Sequence, residues 1–228
     1  MKQIIIISDP GGFPLRQVAP ATIAETVVIC PSDKSHAHAQ SVEFPEDWLP
    51  DFDPAMEYGR RCWWVCDRIF PAAVAQLNLD ADYYWCVESD VVAKPGVWRN
   101  LIEASSGSER DGIYVHLSNR PETERPDWFG HPTTPPWALQ HALGAMFRLS
   151  RRAMGWLAES APVNRNVFCE INNPSIVRHA GGTLADLGTF GWFYNDQCMK
   201  GHGHQLGINT GLFCHPVKTN TEEPLKTW

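Results

Sequence analysis

Apolar and polar positions follow two different rhythms along this chain. Residues 3–8 (QIIIIS) form a β-branched run closed by the turn-rich DPGGFP, which predicts a fully buried strand opening an α/β sheet. TVVIC (26–30) repeats the pattern and stops at PSD (31–33). Residues 34–57 are polar and proline-containing, keep no period, and read as a long surface connection. From Tyr58 to Leu77 the rhythm turns helical: Trp63, Cys66, Phe70, Val74 and Leu77 recur at three and four residues as one apolar stripe. Pro71 is expected to kink or divide that helix. The segment DYYWCVESDVV (82–92) predicts a buried strand running into carboxylates, followed by a helix over 97–104 and a strand GIYVHL (112–117).

Residues 118–136 hold five prolines and few aliphatics, the composition of a mobile loop. ALGAMFRLS (142–150) then predicts a strand and SRRAMGWLAES (150–160) the helix after it. NVFCEINNPSIVRHAGG (166–182) reads as a helical piece interrupted by Pro174, TLADLG (183–188) as a short strand, and LFCHPVK (212–218) as the last one. Strands alternating with helices, without internal repeats, predict a single α/β/α sandwich with a mostly parallel mixed sheet.

A chain of 228 residues suffices for one domain that buries roughly 70% of the surface its unfolded form exposes. No linker divides it, so one domain over 1–228 is expected, with halves at 1–110 and 111–228. The net charge of −7 disfavours a duplex-binding protein, which needs a basic stripe to neutralise phosphates, though it does not exclude a nucleic-acid acceptor. The local basic clusters, Arg60-Arg61 and Arg148 with Arg151 and Arg152, read as solvated helix faces. The seven cysteines are odd in number and sit mostly in apolar runs, which fits buried thiols in a reducing compartment. Four isoleucines after one lysine are too few for a secretion signal, and no apolar run reaches the length of a membrane span. The cytoplasm is the expected location.

The chemistry concentrates in YYWCVESDV, where Glu88 and Asp90 lie at the point where a buried strand leaves the sheet. Ligands of open α/β sheets bind at the carboxyl ends of strands. An extended chain would put both acids on one side. Two adjacent carboxylates repel unless a cation or proton lies between them, and a hard ion such as Mn²⁺ or Mg²⁺ takes oxygen ligands of this kind.

This strand resembles the acid-x-Asp strand of GT-A glycosyltransferases, in particular relatives reading Tyr-Trp-x-Val-Glu-x-Asp-Val. Three further segments are similar to that family in the same order: ALGAMFRLSRRAMGWLAES (142–160), the Glu-x-x-x-Pro segment in FCEINNPSIVRHAGG (168–182), and the His-Pro-x-Lys of LFCHPVK (212–218). Glu88 stands where many relatives have Asp. The resemblance implies a GT-A-like fold and a metal-dependent transfer of sugar from a nucleotide-sugar donor to a hydroxyl of a glycan or other acceptor. It implies that Asp90 holds the metal and that Glu88 meets the donor ribose or a metal-bound water. His215 would be a further metal ligand and Lys218 would lie near the donor phosphates. Glu170 would be the general base of an inverting reaction, with Asp127 and Asp196 next in line. The first half would bind nucleotide and metal; the second, with the 118–136 loop, would shape the acceptor site.

Two rival readings, one an enzyme and one not, remain open: a sugar nucleotidyltransferase, and a catalytically silent carbohydrate-binding relative. The opening SDPGGFPLR (8–16) has the glycines of a phosphate loop but lacks the Lys that nucleotidyltransferases carry downstream, so it reads as a turn. Cys198, His202, His204 and Cys214 match no common zinc spacing.

Overall fold

Four consecutive isoleucines make sense only in a strand covered on both sides. In β1 (Gln3–Ser8), Ile4 and Ile6 enter one hydrophobic core while Ile5 and Ile7 enter another on the opposite face. The computed structural model describes residues 1–9, 24–32, 39–49, 67–89, 91, 93, 95–119, 137, 140–190, 194–195 and 213–214.

Seven strands form one sheet: β1, β2 (Glu25–Pro31), β3 (Gln40–Val42), β4 (Tyr83–Glu88), β5 (Gly112–Asn119), β6 (Gln140–Ser150) and β7 (Leu184–Asp186). Their order is β3-β2-β1-β4-β6-β5-β7. Every pairing is parallel except those of β6, which runs antiparallel to both β4 and β5. The sheet is therefore mixed and mostly parallel, as the alternation of elements predicts. It draws strands from both halves of the chain, and the β4–β6 pairing joins them. A separate two-stranded pairing links β8 (Tyr194–Asn195) with β9 (Phe213–Cys214).

Helices cover both faces. On the Ile4 and Ile6 side lie α1 (Ile69–Gln76), α3 (Arg151–Ser160) and α4 (Cys169–His179), which pack Phe70, Met154, Leu157 and Val177 against Tyr84, Cys86 and Phe147. On the other side α2 (Pro95–Ser105) sets Trp98 and Leu101 against Trp85, Val87 and Ile113, beside a 3₁₀ turn at Leu187–Phe190. At roughly 1.5–3 kcal/mol for each fully buried large apolar side chain, these two layers supply the dominant favourable term of folding.

Several local expectations are corrected. Pro71 does not kink a helix: α1 begins only at Ile69, so Pro71 sits in the first turn, where its missing N–H would have no helical partner anyway. Pro174 does not interrupt α4, which runs unbroken from Cys169 to His179; nine consecutive residues of it, Cys169 through Val177, are buried, and that packing outweighs the local loss. The connection read over 34–57 contains the short strand β3. Ser118 and Asn119, read as loop, complete β5, while 120–136 lie outside the described residues. Arg148 is not on a solvated helix face. It is buried in β6, stacks 4.1 Å from the Tyr83 ring centroid, and donates to the carbonyls of Ser105, the last residue of α2, and of Ser108 just beyond it. Burial brings its pKa down to about 10, with Tyr83 pulling the other way.

The strand-to-helix joint RLSRR is a structural knot. Ser150 caps α3 by accepting the Ala153 N–H (3.2 Å) and donates to Asp111 (2.9 Å), and Arg152 reaches the same carboxylate. Cys30, Cys86 and Cys169 are buried thiols, in keeping with the expectation from sequence. Among the described residues no helix is long and apolar enough to cross a membrane.

Candidate active site at the carboxyl edge of the sheet

From β1 the chain builds outward to β2 and β3, then crosses back to place β4 on the other side of β1. That reversal at the carboxyl ends of β1 and β4 is a topological switch point, the general location of ligand sites in open α/β sheets. Ser8 pairs in register with Glu88, and the Ser89 N–H donates to the Ser8 carbonyl (3.0 Å), so the two strand ends are tied together. Asp9 follows β1 directly, is fully buried, and donates its N–H to the Ile29 carbonyl (2.8 Å). Asp9 and Glu88 are thus carboxylates at neighbouring strand ends. Asp9 escaped the sequence reading because its Pro-Gly-Gly sequel signals only a turn; its position directly after a fully buried strand was the usable clue.

Strand alternation fixes where Glu88 faces. Tyr84 and Cys86 belong to the core under α4, Trp85 and Val87 to the opposite one, so Glu88 faces the α4 side at the rim. The strand ends at Glu88, and the Val91 N–H donates to the Glu88 carbonyl (3.1 Å). The same-side placement expected of Glu88 and Asp90 falls outside the described residues, because Asp90 does, as do His215, Lys218, Asp127 and Asp196.

Glu170 reaches the same edge from α4. It occupies the first turn of that helix, is 5% exposed, and accepts the Gly144 N–H at 3.0 Å. Its second oxygen lies 3.7 Å from His141 Nε2. Gly144 can serve Glu170 because β6 bulges here. Tyr114 pairs with Phe147 but Val115 pairs with Leu143, so residues 144–146 slip out of the ladder with β5. On its other side β6 pairs Met146 with Val87, so Gly144 lies beyond it toward the end where β4 leaves the sheet. Glu88 and Glu170 are thereby on one face and one edge of the sheet.

Beneath Glu170 lies a polar floor. Asp67, 2% exposed, accepts a hydrogen bond from Asn172 (3.1 Å), and Tyr114 donates to Asn173 (2.7 Å). Burial pushes the Asp67 carboxyl's pKa up, against the pull of the Arg68 charge and of its hydrogen bonds. Burial likewise raises the Cys86 thiol and the Tyr114 phenol well above their ordinary values. Arg68 itself donates to the carbonyls of Trp48, Asn164, Arg165 and Val167, fastening the segment before α4 to the start of α1.

No protein-family model matches the chain, and no curated protein matches it. Similar solved structures include a glycosyltransferase involved in the glycosylation of the major capsid of PBCV-1, with 13% identity over 96% of this chain and 94% of that one at a TM-score of 0.45. Another is 2-C-methyl-D-erythritol 4-phosphate cytidylyltransferase from Thermus thermophilus, with 15% identity over 82% of this chain and 88% of that one at 0.42. A third is glucosyl-3-phosphoglycerate synthase from Mycobacterium tuberculosis, with 15% identity over 81% of this chain and 68% of that one at 0.40. At these values the likeness does not reach the chemistry of any site, and the α/β class rests on the sheet itself.

The edge carries donors of one chemical kind. Asp9 and Glu88 offer carboxylate oxygens, which suit Mg²⁺ or Mn²⁺ and not a soft metal. Among the described residues no three His, Cys, Asp or Glu side chains converge closely enough to hold a metal by themselves. A complete cation site at this edge would need a further ligand, and Asp90 is two residues from Glu88 in the sequence.

Proposed function

We propose that this protein is a metal-dependent glycosyltransferase that moves a sugar from a nucleotide-sugar donor to an acceptor hydroxyl. The observation that carries the reading is the placement of Glu88 and Glu170 on one face at the carboxyl edge of the sheet. On this reading Glu88 would meet the donor, and Glu170, held by a backbone N–H, would meet the acceptor.

In this reading residues 1–110 hold the donor and 111–228 shape the acceptor site. Asp90 and His215 would hold Mn²⁺ or Mg²⁺, Glu88 would contact the ribose or a metal-bound water, and Lys218 would lie near the phosphates. When bound, the cation offsets the negative charge that develops on the departing diphosphate. Glu170 takes the proton of the acceptor hydroxyl as that oxygen bonds to the anomeric carbon and the bond from carbon to phosphate oxygen breaks. The Gly144 N–H keeps one carboxylate oxygen engaged, leaving the other to receive the proton.

Incubating the protein with a panel of sugar nucleotides and Mn²⁺, with and without candidate acceptors, tests this directly. Release of nucleoside diphosphate with sugar transfer is expected, and Asp90→Asn should abolish it and weaken Mn²⁺-dependent donor binding in calorimetry. Pyrophosphate release would identify a nucleotidyltransferase. Donor binding without any product would identify a silent carbohydrate-binding relative. Unchanged donor affinity in Asp90→Asn would remove Asp90 from the metal site.

A further inference from the structure

Between α4 and the bulge of β6 lies a cavity of about 10 Å³, lined by Asp67, Tyr114, Glu170 and Asn173 among others. That is room for a water. Two polar atoms of its lining residues make no hydrogen bond among the described residues: Asp67 Oδ1 and Asn173 Nδ2. Both side chains are about 98% buried. Their other polar atoms are engaged, Asp67 Oδ2 by Asn172 and Asn173 Oδ1 by Tyr114. A buried polar atom left without a partner is costly, and buried waters with two to four partners are the common remedy.

We propose that this cavity is a one-water site through which Asp67 and Asn173 position the Glu170 carboxylate, with Asp67 acting as a hydrogen-bond donor. The water accepts from Asn173 Nδ2 and from the Asp67 hydroxyl, and donates to Glu170. With the Gly144 N–H it gives Glu170 a second donor and fixes the orientation of the carboxylate. Asp67 is then a positioning residue, and its role in transfer rests on the reading of Glu170 as the base.

The charges around the site agree with a protonated Asp67. Two anionic carboxylates on a one-water cavity would repel each other. Arg68 engages four carbonyls through Nη1 and Nη2, and its Nε faces Asp67 Oδ1 at 3.8 Å, beyond hydrogen-bond distance, with a charge that pulls Asp67 toward the anion against the effect of burial. The remaining titratable neighbours are Cys86 and Tyr114, both held neutral by burial, Cys169 in the cavity lining, and His141 beside Glu170. Burial also favours the neutral form of Asp67 itself.

Two measurements decide this without any need for activity. A crystal structure at a resolution that shows ordered water should contain one water bonded to Asp67, Asn173 and Glu170. An infrared band of a buried protonated carboxyl should be present at neutral pH and disappear in Asp67→Asn. A dry cavity or a missing band would overturn the proposal, whatever reaction the protein catalyses.

Turnover adds a third measurement. Asn can still accept from Asn172 and donate to the water, so Asp67→Asn should keep kcat within about threefold and leave the acidic limb of its pH profile in place. Asp67→Leu removes the donor and should lower kcat by about tenfold or more at unchanged donor affinity, the loss of one buried hydrogen bond. Equal losses in the two variants, or an acidic limb that moves in Asp67→Asn, would overturn it. Absence of transfer with every donor would instead remove the reading of Glu170 as base, and leave the water and the carboxyl band to decide the site.

Discussion

Glu170 is 5% exposed and accepts the Gly144 N–H at 3.0 Å, so one of its carboxylate oxygens is held in place. Glu170→Gln retains an oxygen for Gly144 but cannot take a proton. Transfer is expected to fall by ~10²–10⁴-fold, the usual worth of general base catalysis. Donor affinity and melting temperature should barely move, because the loss lies in the transition state. A near-normal kcat would exclude Glu170 as base. Glu170 itself was legible, as the acid of a Glu-x-x-x-Pro segment resembling a known family. Its surroundings were not. Gly144 lies 26 residues away and Asp67 meets Asn172 across 105, and no local pattern announces either contact. In the sequence Asp9 belongs to a turn, because the signal of Pro-Gly-Gly is stronger than that of a single acid.

The elements themselves divide by how much of their signal is local. The isoleucines of β1 and the aromatic run of β4 are apolar on both faces, so burial was written into composition alone. Three-residue β3, two-thirds exposed, has no such signature. The end of α4 is fully local: Gly181 has φ +83°, its N–H meets the Arg178 carbonyl, and the Gly182 N–H meets that of Val177, the pattern that closes helices in a left-handed residue. In β5 a contact two residues away decides what Gly112 tolerates. A Cβ there would stand 2.3 Å from the Tyr114 ring, whose hydroxyl holds Asn173. Gly112→Ala is therefore expected to lower stability by about 1–3 kcal/mol, as overpacking does. Gly155, inside α3 with open space around it, provides the contrast: Gly155→Ala should gain about 0.5–1 kcal/mol. Chemical denaturation of the two variants beside the parent checks both signs, and equal effects would show that the Tyr114 contact is immaterial.

Across the whole molecule, Asp111 joins four segments: it receives hydrogen bonds from Ser150 at the end of β6, Arg152 in α3 and the Thr183 backbone and hydroxyl before β7, and lies directly before β5. Burial alone would raise its pKa, yet these donors together, Arg152 foremost, hold it at about 2 against an ordinary 3.8. Its stabilising effect is accordingly complete above about pH 4 and is lost as pH falls through about 2. Because Arg152 is exposed and screened by solvent, about 1 kcal/mol, and at most about 2, is expected from Asp111 at neutral pH. Asp111→Asn should lose that at pH 7 and show a flatter stability profile between pH 4 and 2 in denaturant titrations; a profile as steep as the parent's would assign the acid sensitivity elsewhere. The α/β class was legible from alternating elements, but the order of strands was not, since pairing partners leave no mark on periodicity. That order also sets a timetable for the growing polypeptide. β1 to β4 can assemble as they emerge from the ribosome, but β5 neighbours only β6 and β7, both still unmade when residue 119 appears. The free side of β4 waits for the same late strand. Until residue 150 has emerged, the nascent chain therefore carries an open, aromatic strand edge and an unpaired strand together, a combination that invites aggregation. Chaperone demand for this protein is consequently set by the lateness of β6, whatever the stability of the finished fold.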